Sequence, residues 1–242
     1  MRRFIFAVVV LGSVPAAARA QRVPARDLLD LPLGTLAEPV ALAGTVGDGL
    51  SNPATTPLPT ATRAPIAVAA LTTPALQGVS AQTLSAVVAV PGRTTVGVGV
   101  VRASMRDIQR TGTDPQTLGE IGYSTTVASA TAAHEWRWLA AGAAVRYRSG
   151  QLDMRHRATL GVDAGIVGRL PPAADARLAL STYMWTFGAT RDDRPAVAAA
   201  TDFRLGGTSE LRELRAGYSL VATRGVGRDD YLHVAGRSGR WM

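Results

Sequence analysis

The chain is 242 residues long and carries 26 basic and 18 acidic side chains, which give a formal net charge of +8 at pH 7. It contains no cysteine, which excludes a disulfide framework, a cysteine-based zinc site and a thiol nucleophile. The basic residues are all arginine and are scattered rather than collected on one helix, so we predict no nucleic-acid partner despite a pI near 11.0.

The first twenty residues have the layout of a cleavable export signal. Residues 1–3 are positively charged, residues 4–14 are apolar, and Ala18-Arg19-Ala20 places small residues where a signal peptidase cuts. The apolar stretch is shorter than the roughly 20 residues that cross a bilayer as a helix, which favours a cleaved signal over an anchor. We therefore predict a signal peptide at residues 1–20. Its removal takes away three arginines and no acid, and lowers the net charge from +8 to +5.

From about residue 64 onward, apolar residues alternate with small or polar ones. A two-residue period is typical of β-strands, in which successive side chains point to opposite faces. Val96, Val98 and Val100 share one face, for example, while Gly97 and Gly99 share the other. Turn residues separate these segments. We predict about ten strands, near residues 65–72, 80–90, 93–104, 117–131, 135–149, 156–169, 176–187, 196–205, 211–224 and 229–238.

The length and polarity of these segments favour a membrane barrel. Strands of globular proteins average about 5–6 residues, whereas tilted membrane-spanning strands need about 9–11, and several predicted strands reach that length. Arg146, Asp163, Asp202 and Arg215 fall in mid-strand on the polar face, which suits a wet lumen. Aromatic residues such as Trp136 stand near strand ends, where barrels have aromatic girdles. The predicted fold is all-β, an antiparallel transmembrane β-barrel over residues 64–242. A secreted β-sandwich is the alternative.

Residues 21–63 lack this alternation. They are rich in proline, contain a cluster of leucines at 28–33, and end a glycine-rich run with Asn52-Pro53-Ala54. Asn-Pro favours a fixed turn, and glycine lets backbones approach closely. We predict a small plug segment inside the barrel, with a flexible linker as the alternative.

Two parts of the chain resemble a known family. Leu28-Leu29, Pro32-Leu33-Gly34 and Asn52-Pro53-Ala54 are similar to the N-terminal signature of long-chain fatty-acid transporter (FadL-like) barrels and their PorV-type relatives in type IX secretion. Residues 158–167, which contain Asp163-Ala164-Gly165, and residues 177–181 are similar to the Asp-x-Gly strand and following hairpin of that group.

This resemblance implies an outer-membrane barrel of about fourteen strands with an N-terminal hatch that controls a route for apolar ligands. In this chain Asn52, Pro53 and Ala54 would form the hatch. The chain departs from the family pattern in its smaller number of predicted strands and in ending at Met242 rather than at an aromatic residue. It is therefore interpreted as a truncated or divergent member.

The sequence carries no recognisable catalytic or metal motif. His134, His156 and His233 lack the spacing of zinc ligands, and no Gly-x-Ser-x-Gly, Walker or dinucleotide-binding loop occurs. We predict no enzymatic activity, no metal and no cofactor. The enzymatic alternative is a barrel lipid hydrolase in which Ser219 and His233 meet on adjacent strands.

The predicted function is passage of hydrophobic ligands, or service as a secretion-system scaffold, in the outer membrane of a two-membrane bacterium. Arg146, Asp163 and Arg215 are the predicted lumen residues that set the polarity of the interior. The expected partners are outer-membrane lipid, a hydrophobic small molecule and secretion-system proteins. A structural or adhesive barrel without transport is the alternative.

Overall fold

The computed structural model describes the strands and part of the segment that precedes them. The described residues are 24–25, 27–29, 41–42, 52–55, 66–73, 78–106, 108–111, 117–170, 175–183, 195–209 and 212–238. The predicted signal peptide at residues 1–20, and most of the predicted plug at residues 21–63, lie outside them.

Antiparallel strands form nearly all of the described structure. Two short 3-10 helices, Asp27–Leu29 and Pro53–Thr55, precede the strands. Within the described residues, ten strands form one sheet in the order β1-β2-β3-β6-β7-β8-β9-β10-β11-β12, and β4 pairs with β5 alone. The predicted all-β antiparallel fold is confirmed. The strands are β1 Ile66–Thr73, β2 Val79–Val90, β3 Thr94–Met105, β4 Gln109–Thr111, β5 Thr117–Glu120, β6 Tyr123–Glu135, β7 Leu139–Leu152, β8 Arg155–Arg169, β9 Ala176–Tyr183, β10 Ala196–Ser209, β11 Arg212–Thr223 and β12 Gly227–Ser238.

No helix among the described residues has the length and hydropathy needed to cross a membrane.

Most strands of the large sheet are long. β2, β3, β6, β7, β8, β10, β11 and β12 contain 12 to 15 residues each, while β1 and β9 contain eight. The pairing of β2 with β3 continues from one end of the strands to the other without a register shift. The eight longer strands therefore exceed the roughly 9–11 residues that a tilted membrane-spanning strand needs.

The predicted strand at 117–131 is wrong as a single element. Thr117–Glu120 pairs with Gln109–Thr111, a strand that the sequence analysis missed, and the large sheet resumes only at Tyr123. Gly119 has a φ of 125°, a backbone conformation open mainly to glycine. The alternating pattern continues through the break, so periodicity alone could not locate it.

Other predicted strand boundaries also differ from the structure, and the predicted end of β9 lies outside the described residues. The predicted strand at 135–149 begins at Leu139, because residues 136–138 form the turn from β6 and the Trp136 amide donates to the Leu139 carbonyl at 2.7 Å. β9 ends at Tyr183, and residues 184–187 of that predicted strand are outside the described residues.

The two faces of the large sheet differ sharply in polarity and exposure. The inner face is buried and combines small apolar residues with polar and charged ones, and Asp163 is 1% exposed there. The outward face is exposed and apolar, and Val98 is 62% exposed. Arg146, Asp163 and Arg215 lie on the inner face, opposite the apolar residues. We call the outward apolar set the apolar band: Leu84, Val88, Val96, Val98, Val100, Val145, Tyr147, Leu160, Ile166, Leu178, Leu180 and Phe203.

Toward one end of the strands, the outward face becomes polar. Register partners across β2, β3, β6, β7 and β8 form an apolar row of Leu84, Val100, Ala128, Tyr147 and Leu160. The next two outward rows are polar on nearly every strand. We call their polar members the polar collar: Gln82, Arg102, Thr126 and Ser149, then Ser80, Ser104, Ser124, Gln151 and His156.

The sheet curls around the segment that precedes it. The side chain of Tyr183 on β9 packs in the same cluster as Leu28, Leu29 and Ala81, and Ala81 belongs to β2. The Tyr183 hydroxyl also donates to the Leu29 carbonyl at 3.4 Å. β2 and β9 are five strands apart in the sheet, a separation of about 24 Å if the sheet were flat, because neighbouring strands are about 4.8 Å apart. The shared contact therefore requires strong curvature toward the inner face.

The first and last strands form the two edges of the sheet. Among the described residues, β1 pairs only with β2 and β12 pairs only with β11, and no pairing joins β1 to β12. Because ten strands alternate in direction, β1 and β12 are antiparallel, and β1 begins at the end where β12 finishes. We call this end the turn rim; it also holds the turns at 91–93 and 136–138. The opposite end is the hairpin rim, with the β4–β5 hairpin and the polar collar.

Candidate functional site

Asn52 organises a tight turn on the inner side of the sheet. Its side chain is buried, and its Oδ1 accepts a hydrogen bond from the Ala54 amide at 2.9 Å. Its carbonyl accepts from the Thr55 amide at 3.0 Å and from the Thr55 hydroxyl at 2.7 Å. An asparagine side chain that accepts from an amide two residues on replaces a backbone turn contact, and proline after it fixes φ. We call residues 52–55 the Asn-Pro turn.

The amide nitrogen of Asn52 connects this turn to other parts of the structure. Nδ2 donates to the Ala41 carbonyl at 2.9 Å and lies 3.5 Å from the carbonyls of Ile166 and Leu180. Ile166 on β8 and Leu180 on β9 are register partners, so one side chain links the turn to two adjacent strands. The side-chain oxygen and nitrogen of Asn52 both have hydrogen-bond partners, so this polar side chain can be fully buried.

Two glycines provide the space in which the Asn-Pro turn lies. Gly142 on β7 and Gly165 on β8 face each other in register. A Cβ added at Gly165 would overlap Asn52 Oδ1 and lie 2.7 Å from its Cγ. A Cβ added at Gly142 would lie 2.5 Å from the Pro53 carbonyl carbon. Only glycine at both positions allows the turn to approach this closely. We call this pair the glycine seat.

The predicted hatch residues therefore lie against the inner face of the sheet. Ala54 packs in an apolar cluster with Leu42, Val167 and Ala179, which extends the contact of the turn toward β9. Asn52, Pro53 and Ala54 are all buried. Their role as a hatch stays a prediction.

Arg146 and Asp163 form an ion pair on the inner face. Arg146 on β7 lies diagonally across from Asp163 on β8, and the Arg146 Nε contacts Asp163 Oδ2. The two side chains are 3% and 0% exposed. Burying either charge alone would be costly, so pairing lets both occupy the interior. The structure thus brings together two of the three predicted lumen residues.

Arg215, the third predicted lumen residue, belongs to a separate cluster. Its Nε and Nη2 donate to the two carboxylate oxygens of Asp202 at 3.0 Å each, a bidentate pair. Arg177 Nε donates to Asp202 Oδ1 at 3.0 Å from the other side. Asp202 is therefore held between arginines from β9 and β11, the two strands that flank its own strand, β10.

This charged cluster extends beyond the sheet to residue 175. Arg215 Nη2 donates to the Asp175 carbonyl at 2.7 Å, and Arg204 Nε lies 2.8 Å from Asp175 Oδ2. We call Asp175, Arg177, Asp202, Arg204 and Arg215 the charged cluster. From the sequence, Asp202 and Arg215 stood out as charges in mid-strand, but only Arg215 was predicted as a lumen residue. Their partners Asp175, Arg177 and Arg204 were not predicted, because they depend on strand register.

A serine and a histidine also meet, although not the predicted pair. Ser149 Oγ lies 2.7 Å from His156 Nε2, across the β7–β8 hairpin on the outward side. Ser219 and His233, the predicted pair, are diagonal neighbours on β11 and β12, since their register partners are Tyr231 and Gly217. The Ser149–His156 contact is a hydrogen bond at the exposed surface of the β7–β8 hairpin.

Within the described residues, no group of three or more histidine, aspartate or glutamate side chains is arranged to hold a metal ion. On the inner face, Arg146 pairs with Asp163 and Arg215 pairs with Asp202.

Comparison of the chain with known family models, with curated proteins and with solved structures gives no match.

Proposed function

We propose that this protein is an outer-membrane β-barrel of the FadL-like or PorV-type kind, in which the Asn-Pro turn acts as a hatch over a route for hydrophobic ligands. The observation that supports membrane insertion best is the distribution of polarity. Charged residues such as Asp163 are buried on the inner face, while residues of the apolar band such as Val98 are exposed. Contiguous exposed apolar surface of this extent is costly in water and favourable against lipid.

Closure of the sheet completes the proposed barrel. β1 and β12 are antiparallel and each has an unpaired edge among the described residues, so the two strands can pair without changing direction. An even number of strands is the rule for single-chain bacterial barrels. Closure would satisfy the edge amides and carbonyls, which lipid cannot do.

The connections between strands give the barrel an orientation. Seventeen residues separate β3 from β6 and twelve separate β9 from β10, and these strand ends are at the hairpin rim, whereas the turns at 91–93 and 136–138 at the turn rim are short. Outer-membrane barrels have short turns on the periplasmic side and longer loops outside. We therefore propose that the turn rim faces the periplasm and that the polar collar lies near the outer surface.

The glycine seat supports the hatch. The seat is in close backbone contact with the Asn-Pro turn, which the Asn52 side chain and the Ala54 apolar cluster also hold. Because the seat has no side chains of its own, a methyl group added there acts on the turn rather than on the strands.

The second candidate function is a scaffold that passes no ligand. The observation that favours it is the ion pairing inside: Arg146–Asp163 and the charged cluster connect β7 to β8 and β9 to β11. Such connections stiffen an interior and occupy space that a ligand would need.

Uptake of a hydrophobic fluorescent ligand by proteoliposomes separates these candidates. The Gly165→Ala variant should displace the Asn-Pro turn and raise uptake several-fold over wild type. Gly206→Ala is the matched control, because a Cβ at Gly206 meets nothing within 4 Å. Zero uptake by wild type and Gly165→Ala alike would reject transport in favour of the scaffold.

A further inference from the structure

An outward cleft at the hairpin rim is lined by two exposed arginines, Arg102 and Arg106. The cleft has a volume of about 290 Å³ and lies within the polar collar, between β2, β3, β6 and β7. Arg102 and Arg106 line it together with neutral hydrogen-bonding side chains and have no ion pair or side-chain hydrogen bond among the described residues. The neutral polar lining consists of Ser80, Gln82, Ser104, Ser124 and Gln151.

The cleft is built to present these groups to the outside. The Ser80 and Ser104 hydroxyls are 3.2 Å apart, and Gln151 Nε2 donates to the Asp153 carbonyl at 3.0 Å, which holds the amide in place. The Asp153 carboxylate is already paired with Arg110. None of the described residues that line the cleft is acidic. Two guanidinium groups among hydroxyl and amide donors favour a phosphate-type anion, because guanidinium and phosphate match in geometry.

The surface next to the cleft indicates to which kind of molecule the phosphate is attached. Immediately below Gln82 and Arg102, the next row of outward residues is apolar, with Leu84, Val100 and Ala128. A ligand that puts a phosphate in the cleft would therefore lay whatever is attached to it along the apolar band. A phosphate attached to acyl chains fits both surfaces at once, whereas a free phosphate uses only the cleft.

We propose that this cleft binds the phosphate headgroup of an anionic membrane lipid through Arg102 and Arg106. The inference rests on the proposed membrane insertion and goes beyond it, since it assigns a lipid site on the outward surface that is independent of the hatch. The acyl chains of that lipid contact Leu84, Val100 and their neighbours.

Native mass spectrometry of the full chain in a non-ionic detergent tests the site, with phosphatidylglycerol as the probe and phosphatidylcholine for comparison. The Arg102→Gln/Arg106→Gln variant should bind phosphatidylglycerol at least tenfold more weakly than wild type, since each charge-assisted hydrogen bond is worth about that factor. The control, Arg137→Gln/Arg155→Gln, removes two arginines outside the cleft and should bind as wild type does.

Two outcomes would overturn the proposal. In one, the variant and wild type bind phosphatidylglycerol equally. In the other, inorganic phosphate at the same concentration displaces the lipid completely, which would make the site one for a free anion. Each variant is first checked for heat-modifiable migration on a gel. A protein that lacks it contradicts the membrane proposal itself, whereas an assembled variant with unchanged lipid binding contradicts only the lipid site.

Discussion

At the scale of single residues, Gly142 and Gly165 give the most specific prediction. Their missing side chains create the space for the Asn-Pro turn, so a single methyl group at Gly165 should displace that turn without disturbing the strand that carries it. Alanine is tolerated in strands at least as well as glycine. The strand itself should therefore remain folded.

The displacement can be measured with a thiol probe, because the natural chain has no cysteine. Ala54→Cys should react slowly with a maleimide, since Ala54 is buried. In the Ala54→Cys/Gly165→Ala variant the rate should rise at least tenfold. Ala54→Cys/Gly206→Ala is the control and should remain slow. Equal rates in all three proteins would show that the glycine seat does not position the turn.

Asp202 gives a second residue-level prediction. Asp202→Ala leaves Arg177 and Arg215 without their shared carboxylate in a buried setting, and breaking a buried pair typically costs about 3–5 kcal/mol. The free energy of unfolding by urea, followed by tryptophan fluorescence in detergent, should fall by that amount. Asp230→Ala, which removes an exposed outward carboxylate bonded to Arg228, should leave the unfolding midpoint close to that of wild type. A small effect of Asp202→Ala would mean that the cluster contributes little.

The sequence could identify some of these residues but not their partners. Asn52 stands out because Asn-Pro is a turn signal and because of the family resemblance, and Arg146, Asp163 and Arg215 stand out as charges in mid-strand. Which charges meet depends on strand register, which alternation does not specify. For the same reason the Ser149–His156 contact was missed.

At the scale of elements, the outward side of β3 tests whether the apolar band contacts lipid. Val98 lies in the middle of that side, between Val96 and Val100. Val98→Arg should lower the free energy of unfolding from vesicles by about 2–4 kcal/mol, the cost of arginine near the middle of a bilayer. In water the same substitution at an exposed position would cost almost nothing.

The matched control for this substitution is Thr72→Arg on β1. Thr72 is exposed and is the register partner of Gln82, so it lies level with the polar collar rather than with the apolar band. Its replacement should change stability by about 1 kcal/mol or less. Equal effects of Val98→Arg and Thr72→Arg would contradict lipid contact at Val98.

Strand periodicity predicted the elements well where nothing interrupted the sheet. β2, β3, β8 and β11 begin and end within about one or two residues of the predicted positions, the accuracy expected of boundaries at best. Periodicity failed at 117–131, where residues 117–120 lie outside the large sheet and the chain joins it only at Tyr123 while the alternation continues. There the pairing of β5 with β4 determines that residues 117–120 form a separate strand.

At the scale of the whole molecule, closure through β1 and β12 predicts that the strands assemble together or not at all. A chain that stops after Thr223 lacks β12 and leaves nine strands in the sheet, an odd number whose two edges run in the same direction. We expect this chain to give no heat-modifiable form and to be degraded in cells. Assembly of the shortened chain at wild-type yield would rule out closure by these two strands.

The sequence predicted the class and strand number of the large sheet, because both follow from local alternation and turn residues. Its curvature could not be predicted in this way. That curvature follows from contacts such as Tyr183 with Leu29, which join parts of the chain 154 residues apart.

The most direct test of the account is the migration of the full chain, extracted from carbonate-washed outer membranes, on a gel before and after boiling. Insertion of the apolar band in lipid predicts that the protein stays with the washed membranes and that boiling changes its migration. Recovery of the protein in the aqueous fraction without detergent, with the same migration before and after boiling, would contradict that claim.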